Sequence, residues 1–164
     1  MEFITYGLGR WLHILAGVMW IGLLYYFNFV QVAAMKDAAA DGTAAGISKH
    51  VAPRALFYFR WSAIVTWVLG AYLLGSHIGD ALLFRDKAYV PIGIGAWLGT
   101  IMLFNVWVLI WPNQQKILGM KTATDEEKTK ARRVAFLASR TNTMLSIPML
   151  FFMSSSSLFH RAVF

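Results

Sequence analysis

Four histidines are the side chains of this 164-residue sequence best suited to holding a cofactor. His50 falls in a polar connector and is assigned no role. His13, His77 and His160 each sit near one end of an apolar run. The charge pattern described below puts those three ends at one membrane face. Three imidazoles at one depth could ligate a divalent metal, and His13 with His77 could act as the axial pair of haem b. The competing reading is that amphipathic side chains commonly end helices at an interface.

His13, Gly17 and Trp20 recur at i, i+4 and i+7 and therefore share one helix face. Trp67, Gly70, Leu74 and His77 form a comparable stripe further along. Small residues at Gly17 and Gly70 could admit a flat macrocycle between two helices. They could equally let the helices pack closely, with the tryptophans filling gaps. A further stripe combines Asn142, Ser146, Met149, Met153, Ser157 and His160 at steps of three or four. With Asn105 it defines a polar seam of Asn105, Asn142, Ser146 and Ser157, either interhelical glue or the border of a small site. Gly95 and Gly99 form a small-xxx-small packing face. No hydroxyl–His–acid set, P-loop or dinucleotide fingerprint is present.

These residues need long elements to position them. A helix crosses a bilayer with about 20 mostly apolar residues. Four stretches qualify: about 11–34, 55–78, 88–111 and 141–159. Each is too long for a strand and lacks period-2 alternation. No Asp or Glu lies within a span, so a carboxylate proton relay is not expected. The connector from Lys36 to Ala52 reads as a mobile loop with room for one short helix, and Pro53 falls in the first turn of the second helix. Pro112 is expected to end the third helix and Pro148 to kink the fourth. Thr124 and Glu127 match a capping box, with Asp125, Glu126 and Glu127 in the first turn. An amphipathic helix over about 125–140 then runs into the fourth span.

Composition agrees with this reading. Hydrophobic residues make up 58% and charged residues 14%, well away from the balance of a soluble domain. There is no cysteine, which excludes thiolate metal sites, disulfides and covalent haem attachment. The net charge is +7, and its placement points to orientation in a bilayer, not to nucleic acid. Lys36, Lys49, Arg54 and Arg60 flank the first connector. Lys116, Lys121, Lys128, Lys130, Arg132, Arg133 and Arg140 flank the third. Only Arg10, Arg85, Lys87 and Arg161 fall on the opposite side. The positive-inside rule places both long connectors in the cytoplasm and both termini outside. Anionic headgroups are the expected partners of Arg60, Asn113, Gln114 and Gln115. The expected fold is an all-α integral membrane four-helix bundle, one domain, with its termini on the periplasmic side of a bacterial inner membrane.

Three stretches resemble one known family. They are Arg10-Trp-Leu-His-Ile-Leu-Ala-Gly-Val-Met-Trp-Ile-Gly22, Gly99-Thr-Ile-Met-Leu-Phe-Asn-Val-Trp-Val-Leu-Ile-Trp-Pro-Asn-Gln-Gln-Lys116 and Arg140-Thr-Asn-Thr-Met-Leu-Ser-Ile-Pro-Met-Leu-Phe-Phe-Met153. Together they are similar to the membrane domain of the bacterial urate hydroxylases, the urate oxidase N-terminal domain. The first stretch also loosely resembles haem-binding four-helix membrane proteins of the protoporphyrinogen-oxidase and copper-export type. The resemblance implies urate oxidation in the membrane, with electrons passed to a cytochrome c domain. It carries over His13, Trp20, Asn105, Pro112, Asn113 and Gln114 as candidate functional positions. Family histidines near the start and end of the fourth helix fall on Thr141 and Ser157 here. The chain reads as a short, stand-alone version without the cytochrome.

Three functions are compatible with these residues. The first is an accessory or structural subunit that packs against other subunits of a membrane electron-transfer complex. The second is a haem-b oxidoreductase acting on urate or another purine, using His13 and His77, with Gly17, Trp20 and Gly70 around the macrocycle. The third is a metal site of His13, His77 and His160. The first is preferred, because it asks nothing of the positions where the family's histidines are replaced.

Overall fold

The computed structural model describes the backbone of residues 2–162 and the side chains of residues 5–154. The described residues form helices joined by short turns, with no strand among them. Four long helical elements follow the chain: α1 (Thr5–Ala40), α2 (Ala44–Leu82), α3 (Lys87–Ile117) and α4 (Asp125–Ala162). The first three are long and apolar enough to cross a membrane. The fourth expected span lies within α4, and its part from residue 155 onward falls outside the described side chains.

The connector between α1 and α2 corrects a sequence expectation. In place of a loop over 36–52, helix runs to Ala40 and resumes at Ala44. The stretch is rich in alanine, which has the highest helix propensity, so three residues suffice to reverse the chain. Asp41 holds that turn by accepting from the Thr43 hydroxyl at 2.6 Å and the Thr43 amide at 3.2 Å. The same two bonds, the hydroxyl foremost, keep the Asp41 carboxyl below its ordinary pKa.

α2 breaks at Gly75, whose φ of +53° is costly for any residue with a Cβ. A tight turn over Gly75–His77 follows, then a short helix to Leu82. The chain enters α3 so closely that a Cβ at Gly93 would collide with the Ala81 backbone carbonyl. α3 corrects a second expectation. Helix continues through Pro112 as far as Ile117. Proline needs no amide partner in a first turn, and it sits at the first positions of the segment Trp111–Ile117. That segment follows a wider, π-type stretch over Asn105–Ile110. A second π-type stretch interrupts α1 at Tyr26–Gln31.

α4 opens with the expected capping box. The Thr124 amide donates to Glu127 Oε2 at 2.8 Å, and the Glu127 amide donates back to Thr124 Oγ1 at 3.2 Å. Helix runs through Pro148 without interruption. α1 packs most extensively on α2, and α3 on α4. The shared core contains Trp20, Leu24, Phe59, Ala63, Met102, Val106 and Met149. Outward faces remain apolar: Val18 is 66% exposed and Ile147 67%.

Candidate functional site

His13 is half-buried on α1 and faces α2. Its Nδ1 donates to the Thr66 carbonyl oxygen at 2.8 Å. That bond fixes the ring and, in the neutral imidazole, leaves the Nε2 lone pair free. Of the expected His13–Gly17–Trp20 face, His13 and Gly17 lie against α2. Gly17 stands against the Thr66 methyl group, 3.7 Å from where its Cβ would be. Gly70 lies directly beneath the His13 ring; a Cβ there would stand 3.0 Å from His13 Cε1. The room that Gly70 provides is therefore taken by the imidazole itself. Trp20 is buried, and its indole N–H has no partner.

His77 occupies a different environment. It is exposed, with its ring stacked on Tyr89 at 4.7 Å between centroids and 15° between planes. Its Nδ1 lies 3.4 Å from Asp80 Oδ2. Both imidazoles are thus engaged through Nδ1, one by a carbonyl and one by a carboxylate. Trp67, from the same stripe as His77, donates to Thr100 Oγ1 at 2.9 Å. His160 and Ser157 lie outside the described side chains. Among the described residues no three His, Asp or Glu side chains converge as a metal site.

Of the polar seam, Asn105 and Asn142 meet directly. Asn105 Nδ2 donates to Asn142 Oδ1 at 2.8 Å, and Asn142 Nδ2 donates to the Met102 carbonyl at 3.0 Å. Ser146 gives its hydroxyl hydrogen to the Thr143 carbonyl at 2.7 Å. The Tyr25 hydroxyl, 2.9 Å from Ser146 Oγ, must then be the donor in that pair. Asn28 Nδ2 donates to Ser139 Oγ at 2.8 Å and to the Leu24 carbonyl at 2.9 Å. Ser139, Asn142 and Ser146 follow one another at three and four residues, so one stripe of α4 receives both α1 and α3. Asn28 and Asn105 each lie within a π-type stretch. Such stretches change which way a side chain points.

Sequence reasoning missed Tyr25, Asn28, Ser139 and Thr66. Asn28 carried a usable signal, since an amide in an apolar run must find a partner. Thr66 carried none, because its contribution to His13 is a backbone carbonyl.

The family model described as urate oxidase N-terminal matches residues 76–161. The chain belongs to that family. The matched part contains His77, Asn105, Asn142 and Ser146, together with the Gly99–Lys116 and Arg140–Met153 stretches. His13, Gly17, Trp20 and Gly70 precede it. Comparison with curated proteins and with solved structures gives no match. For this member of the urate oxidase N-terminal family, the matched region is the one that carries α3 and the α4 seam.

Proposed function

We propose that this chain is a multi-pass membrane subunit of the urate oxidase N-terminal family. In this reading it crosses a bacterial inner membrane four times with both termini outside. It packs against other subunits of an electron-transfer complex and performs no chemistry of its own. The observation that carries the reading is the interhelical bonding of the seam: Asn105 bonds to Asn142, Tyr25 to Ser146 and Asn28 to Ser139. Groups committed to interhelical bonds act as glue and are poor candidates for binding a substrate. The apolar outward faces and the basic connectors favour the bilayer and the orientation.

A second reading, haem b held by His13 and His77, is favoured by one feature of both rings. A ligating imidazole generally donates its other nitrogen to a carbonyl or carboxylate. His13 does so to Thr66, and His77 stands beside Asp80. Bound there, haem would supply one-electron transfer; the residues would hold it and set its orientation.

A visible spectrum of the purified full chain separates the two. The subunit reading expects a colourless preparation that co-purifies with stoichiometric partners. A Soret band lost in His13→Ala would establish the second reading. Urate turnover by the isolated chain would overturn the first. A reporter fused at Phe164 and active only in the cytoplasm would refute the outward termini.

A further inference from the structure

Arg60 is a cation inside an apolar helix, and its surroundings are aromatic. Its guanidinium carbon lies 3.8 Å from the Trp111 ring centroid and 5.3 Å from that of Phe57. Its main chain is also held, because Trp107 Nε1 donates to the Arg60 carbonyl at 3.2 Å. Trp107 packs edge-on against Trp61, 5.5 Å between centroids. Aromatic stacking occupies the flat faces of a guanidinium and leaves its in-plane N–H donors free. Among the described residues no carboxylate pairs with Arg60. Neighbouring Arg54 is spent on the His50 carbonyl at 2.9 Å.

The depth of this group selects its ligand. Arg54 lies six residues further out on α2 and Lys116 five residues beyond Trp111, roughly 9 Å and 7.5 Å along their helices. Arg60 therefore sits just inside the ring of basic residues, level with Trp61, Trp107 and Trp111. Tryptophans gather where hydrocarbon meets headgroup, which is also where phospholipid phosphates lie. A planar fork of N–H donors matches two phosphate oxygens. An anionic lipid keeps its negative charge, whereas a zwitterionic headgroup partly cancels it.

We propose that Arg60, braced by Phe57 and Trp111, binds the phosphodiester of an anionic phospholipid in the leaflet that faces the basic connectors. The inference rests on the bilayer placement above. Native mass spectrometry of the detergent-purified full chain tests it, with phosphatidylglycerol and phosphatidylcholine as competing probes. Wild-type chain should retain phosphatidylglycerol in preference, and Arg60→Gln should lose it by roughly tenfold. Arg54→Gln should keep it. Equal retention of the two lipids by the wild type, or undiminished phosphatidylglycerol on Arg60→Gln, would overturn the proposal. So would displacement of the lipid by millimolar inorganic phosphate, which would mark a free-anion site. The wild-type competition stands even where the variant does not fold. A chain that stays folded and monodisperse without detergent would refute the bilayer placement instead, so the two failures are distinguishable.

Discussion

Between α1 and α2 the hydroxyls bond to their own helix; along α4 Thr143 and Ser146 also donate to their own helix, but Ser139 and Ser146 accept from Asn28 and Tyr25 of α1. Ser62 donates to the Phe59 carbonyl at 3.1 Å and Thr66 to the Ser62 carbonyl at 2.7 Å. Close packing at small residues then joins α1 to α2: Gly9 against Tyr72, Gly17 against Thr66, Gly70 against His13. α4 is joined instead by side-chain bonds from Tyr25, Asn28 and Asn105. Small residues fix how closely two helices approach, while paired amides also fix their register. The first interface should therefore fail when volume is added, and the second when a partner is removed.

Removing Asn142 should have the largest effect. It is fully buried, and Asn142→Leu strips Asn105 Nδ2 of its acceptor and the Met102 carbonyl of its side-chain donor. An unsatisfied buried polar group costs about 1–3 kcal/mol in general, less where the denatured state in detergent finds other partners. We expect a loss of about 2 kcal/mol in an SDS unfolding titration followed by tryptophan fluorescence. Asn105→Leu in the same chain should recover part of it. A loss below about 0.5 kcal/mol would show that the pair contributes no more than an average membrane hydrogen bond.

Adding a methyl group probes the other interface. Gly70→Ala would place a Cβ 3.0 Å from His13 Cε1, and the ring cannot retreat without lengthening its bond to Thr66. The expected cost is about 1–2 kcal/mol. Gly95→Ala on α3 meets the Met153 side chain at 3.2–3.3 Å, and methionine yields easily. Its cost should stay under about 0.5 kcal/mol. If the two substitutions cost the same in the SDS titration, small-residue packing does not set α1–α2 apart.

Much of this arrangement was legible in the residues. Apolar runs gave the first three long helices, the Thr124–Glu127 spacing gave the start of α4, and Asn105, Asn142 and Ser146 were recognisable as a seam. What stayed hidden depended on register. Periodicity assumes 3.6 residues per turn, and the π-type stretches at Tyr26–Gln31 and Asn105–Ile110 depart from it. Asn28 thereby reaches α4 although the regular pattern of α1 does not announce it. The same departure explains why Pro112 does not end α3. A glycine in a sequence shows that space exists but not what fills it, so the occupant of the Gly70 notch became visible only when His13 was placed.

A pH-dependent effect is expected at the start of α4, outside the seam, where it isolates the polar bonds that face water. Glu127 is held below its ordinary value of 4.5, first by the Thr124 amide and then by the charge of Lys116. A carboxylate whose pKa falls on folding contributes stability that is complete above its unfolded value. That contribution is lost as pH drops through the lower folded value. The cap should therefore be intact at pH 7 and should weaken below about 4.5. Asp41 is depressed in the same way by Thr43, so the measurement belongs in an Asp41→Asn background. Amide exchange of residues 125–128 should accelerate as pH falls from 5 to 3, beyond the intrinsic pH dependence of exchange, and Glu127→Gln should remove that excess. Thr124→Ala should loosen the same turn by about 1 kcal/mol at every pH. The Asn105–Asn142 pair does not titrate, so amides near Asn142 should show no such excess. If they open together with the cap, α4 behaves as a single cooperative unit, and the contrast between its water-facing and seam-bonded halves is lost.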